Sequence, residues 1–162
     1  MKNLNLKLRM LLTIMAYMVL FVPQLFAQEK IDYKQFRNKE WVQQLPEGME
    51  GRFLSRTFTA DTCFSIAKQN GMSVEIKSIY YLSDDWNGTF DAQKVGLLAD
   101  GKYLIDKRES KPRKVILINV YEILKLTKTD LILRYAEDIE LTMKGKLISR
   151  DERNSIISYK SR

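Results

Sequence analysis

Apolar and polar residues alternate most clearly in "GMSVEIKSIYY", where Met72, Val74, Ile76, Ser78 and Tyr80 share one face and Ser73, Glu75 and Lys77 the other. A period of two is the pattern of a half-buried antiparallel strand. Shorter runs rich in β-branched and aromatic residues precede it, "RFLSRTFT" and "TCFSIAK", and others follow: "KVGLLA", "KYLIDK", "KVILINVYEILKL", "DLILRYA", "IELTM" and, more weakly, "SIISY". Each is bounded by turn chemistry. Asn70-Gly71 and Asp100-Gly101 are dipeptides favoured in type I′ turns, whose central residues need positive φ, and the segments "LTKTDL" and Ala60-Asp61 serve as less specific turns. The stretch "VILINVYEIL" is apolar on both faces apart from Asn119 and Glu122, which predicts a long, central, bent strand in a closed or strongly curled sheet. About eight strands in succession, with no long helical pattern between them, predict an all-β antiparallel domain, an up-and-down barrel or a sandwich.

Ahead of the strands the pattern differs. From Gln28 to Leu45 the chain is charged and mildly amphipathic, with Tyr33 and Phe36 three apart and Arg37, Trp41 and Leu45 at four-residue steps, which predicts a short helical lead-in ended by "LPEGMEG". The first 27 residues are different again. Lys2, Lys7 and Arg9 precede an uncharged apolar run from Met10 to Val22, the layout of a secretory signal peptide with cleavage after Ala27. That run falls short of the roughly 20 residues a membrane-spanning helix needs. Residues 28–162 are then a single domain, periplasmic or secreted, with no stable membrane anchor after cleavage.

Charge and composition narrow the chemistry. The chain carries +7, but Lys2, Lys7 and Arg9 leave with the signal, which weakens any case for nucleic acid. It has no histidine, which removes Ser-His-Asp and Cys-His catalysis and the usual zinc ligand sets. Cys63 is the one cysteine, so the fold has no internal disulfide, and its thiol is expected to be a buried small hydrophobe. Asp84, Asp85 and Asp91 supply oxygen ligands in one loop, but neither EF-hand spacing nor opposed carboxylates, and they are expected to serve turns. Asn87-Gly88-Thr89 matches a glycosylation sequon, a motif short enough to arise by chance. The basic "DKRESKPRK" lacks interleaved aromatics and is expected to be a solvated hairpin tip. No pattern points to a cofactor, a metal or a catalytic residue.

Three features carry a resemblance: the early Trp41 after a short lead-in, "FDAQKVGLLADGKYLI" with its "DGKY", and "YEILKLTKTDLILRY". Together they resemble small exported bacterial lipocalin-like, or calycin-like, domains over most of the chain from Trp41 onward. Lys39 stands where true lipocalins have a glycine. The resemblance implies an up-and-down lipocalin-like barrel with Trp41 packed at its closed end, Arg134 either over the indole or in solvent. Tyrosines that point into such a barrel would need polar partners, which an amphipathic ligand can supply. The candidate ligand-binding residues are therefore Trp41, Phe64, Tyr80, Tyr103, Tyr121 and Tyr135, and the expected occupant is a small hydrophobic or amphipathic molecule. The alternative is a protein partner bound through the loops, with the barrel filled by side chains.

Overall fold

A computed structural model describes residues 33–49, 51–97 and 99–162. The expected signal segment and the start of the lead-in lie outside the described residues. One helical turn, α1 (Tyr33–Phe36), precedes eight strands: β1 (Glu40–Gln43), β2 (Arg52–Phe58), β3 (Thr62–Gln69), β4 (Met72–Ser83), β5 (Tyr103–Ser110), β6 (Val115–Leu126), β7 (Asp130–Thr142) and β8 (Leu147–Ser161). Each pairs antiparallel with its neighbours in sequence, and β1 pairs with β8, so the sheet closes into an eight-stranded barrel. Trp41 belongs to β1 and not to a helix, which corrects the helical reading of that stretch.

Several sequence expectations hold for physical reasons. Asn70 and Gly71 have φ of 50° and 79° and link Gln69 to its ladder partner Met72, the two-residue turn their types favour. The β6–β7 turn is tied by the Thr127 hydroxyl, which accepts from the Asp130 and Thr129 amides. Strand β6 is buried on both faces and carries two irregularities, at Val120/Tyr121 and Ile123/Lys125. Residues paired across a ladder share a face, so Leu117, Asn119, Tyr121 and Ile123 point inward and Ile116, Ile118 and Val120 outward. The outward group is apolar because the long β4–β5 connection lies over it: Trp86, Phe90 and Val95 pack on Tyr81, Ile105, Ile118, Val120 and Ile139. Trp86 thus covers the outside of the sheet, and its indole N–H donates to the Glu137 carboxylate, which Arg150 also engages.

That connection overturns two expectations. The described residues of "KVGLLA" are not in a strand; Ala92–Lys94 form a 3-10 turn capped by the Asp91 carboxylate, which accepts from the Gln93 amide. Asp100-Gly101 is not a hairpin turn either, since Gly101 lacks positive φ. Gly101 is buried against β4, where a Cβ would stand 2.6 Å from the carbonyl carbon and 2.7 Å from the Cα of Ser83. Backbone cannot yield as a flexible side chain does, so Gly101→Ala is expected to cost at least about 2 kcal/mol through forced overpacking. Urea denaturation checks this; an unchanged midpoint would contradict the close approach.

The ladders that close the barrel are short. Strand β1 pairs with β2 only over Glu40–Val42 and with β8 only over Trp41–Gln43, and β4 meets β5 only from Ile79 to Ser83. Beyond these ladders the sheet has two splits, one between β4 and β5 and one between β8 and β2. The arm β2–β3–β4 and the arm β5–β6–β7–β8 are therefore joined near Trp41 and separate toward the far end, here called the mouth.

Candidate functional site

The two ends of the interior are chemically different. Near the closing ladders, Phe36, Trp41, Phe58, Tyr80, Leu104 and Leu133 are buried in one apolar cluster. Phe58 packs tilted against Phe36 with centroids 4.0 Å apart and meets Tyr80 edge-on at 5.2 Å. The Trp41 indole donates to the Phe36 carbonyl at 2.9 Å, and the Tyr80 hydroxyl donates to the Thr59 carbonyl at 2.6 Å. Both of these predicted site residues are satisfied by the protein itself. The cation over Trp41 is Lys39, 5.0 Å from the ring centroid, whereas Arg134 pairs with Glu122 at 3.1 Å.

Toward the mouth the interior turns polar. The register places Arg56 of β2, Asp106 and Arg108 of β5, Asn119 and Tyr121 of β6 and Tyr135 of β7 on the inner face. All of them but Arg108 form a connected array. Tyr135 donates its hydroxyl to Asn119 Oδ1 at 2.9 Å, and Asn119 Nδ2 donates to Asp106 Oδ1 at 2.7 Å. Arg56 Nη1 stands 3.7 Å from Asp106 Oδ2, and its Nη2 donates to the Tyr121 hydroxyl at 2.8 Å. Tyr121 and Tyr135 are stacked at 4.8 Å, with the Arg56 guanidinium 4.7 Å over the Tyr121 ring.

Burial drives the Asp106 carboxyl above the usual carboxylate range, an effect that Arg56 and the Asn119 hydrogen bond oppose. Burial also raises the Tyr121 and Tyr135 hydroxyls, so both stay protonated donors at neutral pH. In this region the guanidinium nitrogens Arg56 Nη1 and Arg108 Nε are buried without a hydrogen bond. A buried donor left unbonded is costly. Asp106 is the carboxylate beside Arg56 and Arg108, whereas Asp138 shares Arg153 with Asp151, at 3.7 and 3.9 Å. Beside Arg108, a cavity of about 310 Å³ opens at the β4–β5 split, lined also by Lys77, Ser78, Ile79, Lys107 and Glu109.

Of the six sequence-predicted residues, Trp41, Tyr80, Tyr121 and Tyr135 point inward, and only the last two reach the polar array. Phe64 and Tyr103 are on the outer face, under Lys77 and Lys102 respectively, where an interior ligand does not meet them. Cys63 is buried and its thiol is raised by burial, as expected of a small core residue. Arg56, Asp106 and Arg108 were not singled out as a site by sequence. A signal existed: Leu54, Arg56 and Phe58 alternate on one face, as do Leu104, Asp106 and Arg108, so a polar residue sits within each inward-facing series. The "DKRESKPRK" segment is accordingly only in part a hairpin tip, since Asp106 and Arg108 face the interior while Lys111–Lys114 make the turn. Searches of family models, curated proteins and solved structures return no match to this chain, so its chemistry is read from its own side chains.

Proposed function

We propose that this chain is an exported, non-enzymatic β-barrel that takes a small amphipathic molecule with an anionic head into the polar half of its interior. One observation carries the reading: Arg56 and Arg108 lie inside the barrel with buried N–H groups that nothing in the protein accepts. A planar guanidinium is suited to a carboxylate or similar anion, which would supply the missing acceptor. An apolar tail has a surface to follow, since the inner face of the β2–β3–β4 arm carries Leu54, Val74 and Ile76 and ends at exposed Met72. The apolar half is occupied by aromatic and aliphatic side chains, which argues for an amphipathic occupant over a purely apolar one.

The resemblance to exported lipocalin-like domains agrees with a carrier or sensor of this kind, and the signal-like first 27 residues with periplasmic or secreted placement. Native mass spectrometry of protein purified from its own host tests the reading. A retained small anion is the expected result; a protein that carries nothing and binds no amphipathic anion on titration contradicts it. The second reading, interaction with another protein, is favoured by a separate observation at the edge of β4.

A further inference from the structure

Strand β4 continues well past the point where β5 leaves it. From Met72 to Ser78 it is paired with β3 on one side only, and the cavity at the split opens along its other edge. The backbone direction at that edge follows from one hydrogen bond. The Tyr80 amide donates to the Asp61 carbonyl on the β3 side. Alternation then turns the N–H and C=O groups of Ser73, Glu75 and Lys77 toward the open edge. An unpaired, regular edge of this kind is a template for another strand.

We infer that this edge pairs with a second copy of the chain, β4 against β4, antiparallel about a two-fold axis at Ile76. The sequence is self-complementary in that register. Glu75 of one copy stands opposite Lys77 of the other, twice over, and each such pair exchanges two backbone hydrogen bonds, four in total by geometry. On the inner face Ile76 meets its symmetry mate in the close, non-hydrogen-bonded position, and Val74, 56 % exposed in the single chain, meets Ser78. The neighbouring register, centred on Glu75, sets two glutamates directly opposite each other and is disfavoured. Glu75 and Lys77 are both exposed, and Lys77 rests only over the Phe64 ring at 5.8 Å, so it can turn to meet its partner. The inference rests on the strand edge and not on the ligand reading; the split between β8 and β2 remains as a way into the polar interior.

Analytical ultracentrifugation of the full exported chain, from about 1 μM to about 1 mM, tests it, with a small contact such as this expected to associate in the micromolar range. Glu75→Lys and Lys77→Glu, at exposed positions that leave the circular dichroism spectrum unchanged, each set like charges opposite one another and are expected to weaken association at least about tenfold. Mixing the two single variants brings opposite charges together again and should restore a dimer that neither forms alone. A wild-type chain that stays monomeric throughout overturns the inference. So do single variants that associate as the wild type does, or a mixture that fails to recover.

Discussion

Replacing Arg56 with leucine is expected to destabilise the barrel by about 3 kcal/mol at pH 7, and by much less near pH 3. Arg56 is 16 % and Asp106 5 % exposed at the side chain, so removing the cation leaves a buried carboxylate with Asn119 and Arg108 as its remaining partners. Breaking such a pair costs more than the pair contributes, because the desolvated charge is left behind. The sign of the pH dependence follows from Asp106, whose folded pKa lies above its ordinary value. A raised acid stabilises the fold fully below the unfolded pKa of about 3.9 and loses that contribution as pH rises through the folded value. Without Arg56 the folded value climbs further, so the penalty grows as pH rises through the wild-type folded value and fades below it. Urea denaturation at both pH values measures this, and adding Asp106→Asn should recover much of the neutral-pH loss. An equal loss at both pH values would show that packing, and not the charge, is what Arg56 supplies.

Trp41→Ala carries the largest expected cost, about 4 kcal/mol or more. The indole is fully buried, and its removal combines an aromatic cavity with an unsatisfied Phe36 carbonyl. Against a total stability of about 5–15 kcal/mol for an ordinary domain, that approaches the threshold of folding. The damage should also be local in its first expression. Trp41 lies in the three-residue ladder that joins β1 to β8, so exchange of the Gln44 and Arg162 amides, which donate across this seam to Ser158 and Glu40, should quicken before exchange in β6. Trp41→Phe keeps most of the volume and should cost clearly less. Uniform exchange across the barrel would contradict the view of this ladder as the weak seam.

The parts of this architecture that could be read from sequence are those in which local chemistry and pairing coincide. Asn70-Gly71 sits between two strands and makes the turn its residues favour; Asp100-Gly101 has the same chemistry but follows a segment that is not a strand. "KVGLLA" is apolar because Val95 packs down on the outside of the sheet, and burial of that kind is indistinguishable from strand-like composition in so short a run. The inner face was harder. Phe64 and Tyr103 are each one residue out of phase with the inward series, and in a strand one position reverses the side chain. Arg56, Asp106 and Asn119 went the other way, since polar residues in a strand ordinarily face water, and only the register of β2, β5 and β6 brings the three together within the barrel. Asn119 had already stood out as a polar residue in an apolar run, and its amide links Tyr135 to Asp106.

A calorimetric titration with dodecanoate and, separately, 1-dodecanol tests whether the barrel holds an anionic head, since the two share a tail and differ in the charge of the head. An anionic head held by Arg56 and Arg108 predicts that dodecanoate binds at least about tenfold more tightly, and that Arg108→Gln, at a position outside the closing ladders, narrows the difference. Equal binding of acid and alcohol, or an Arg108→Gln variant that keeps the full preference, would contradict it.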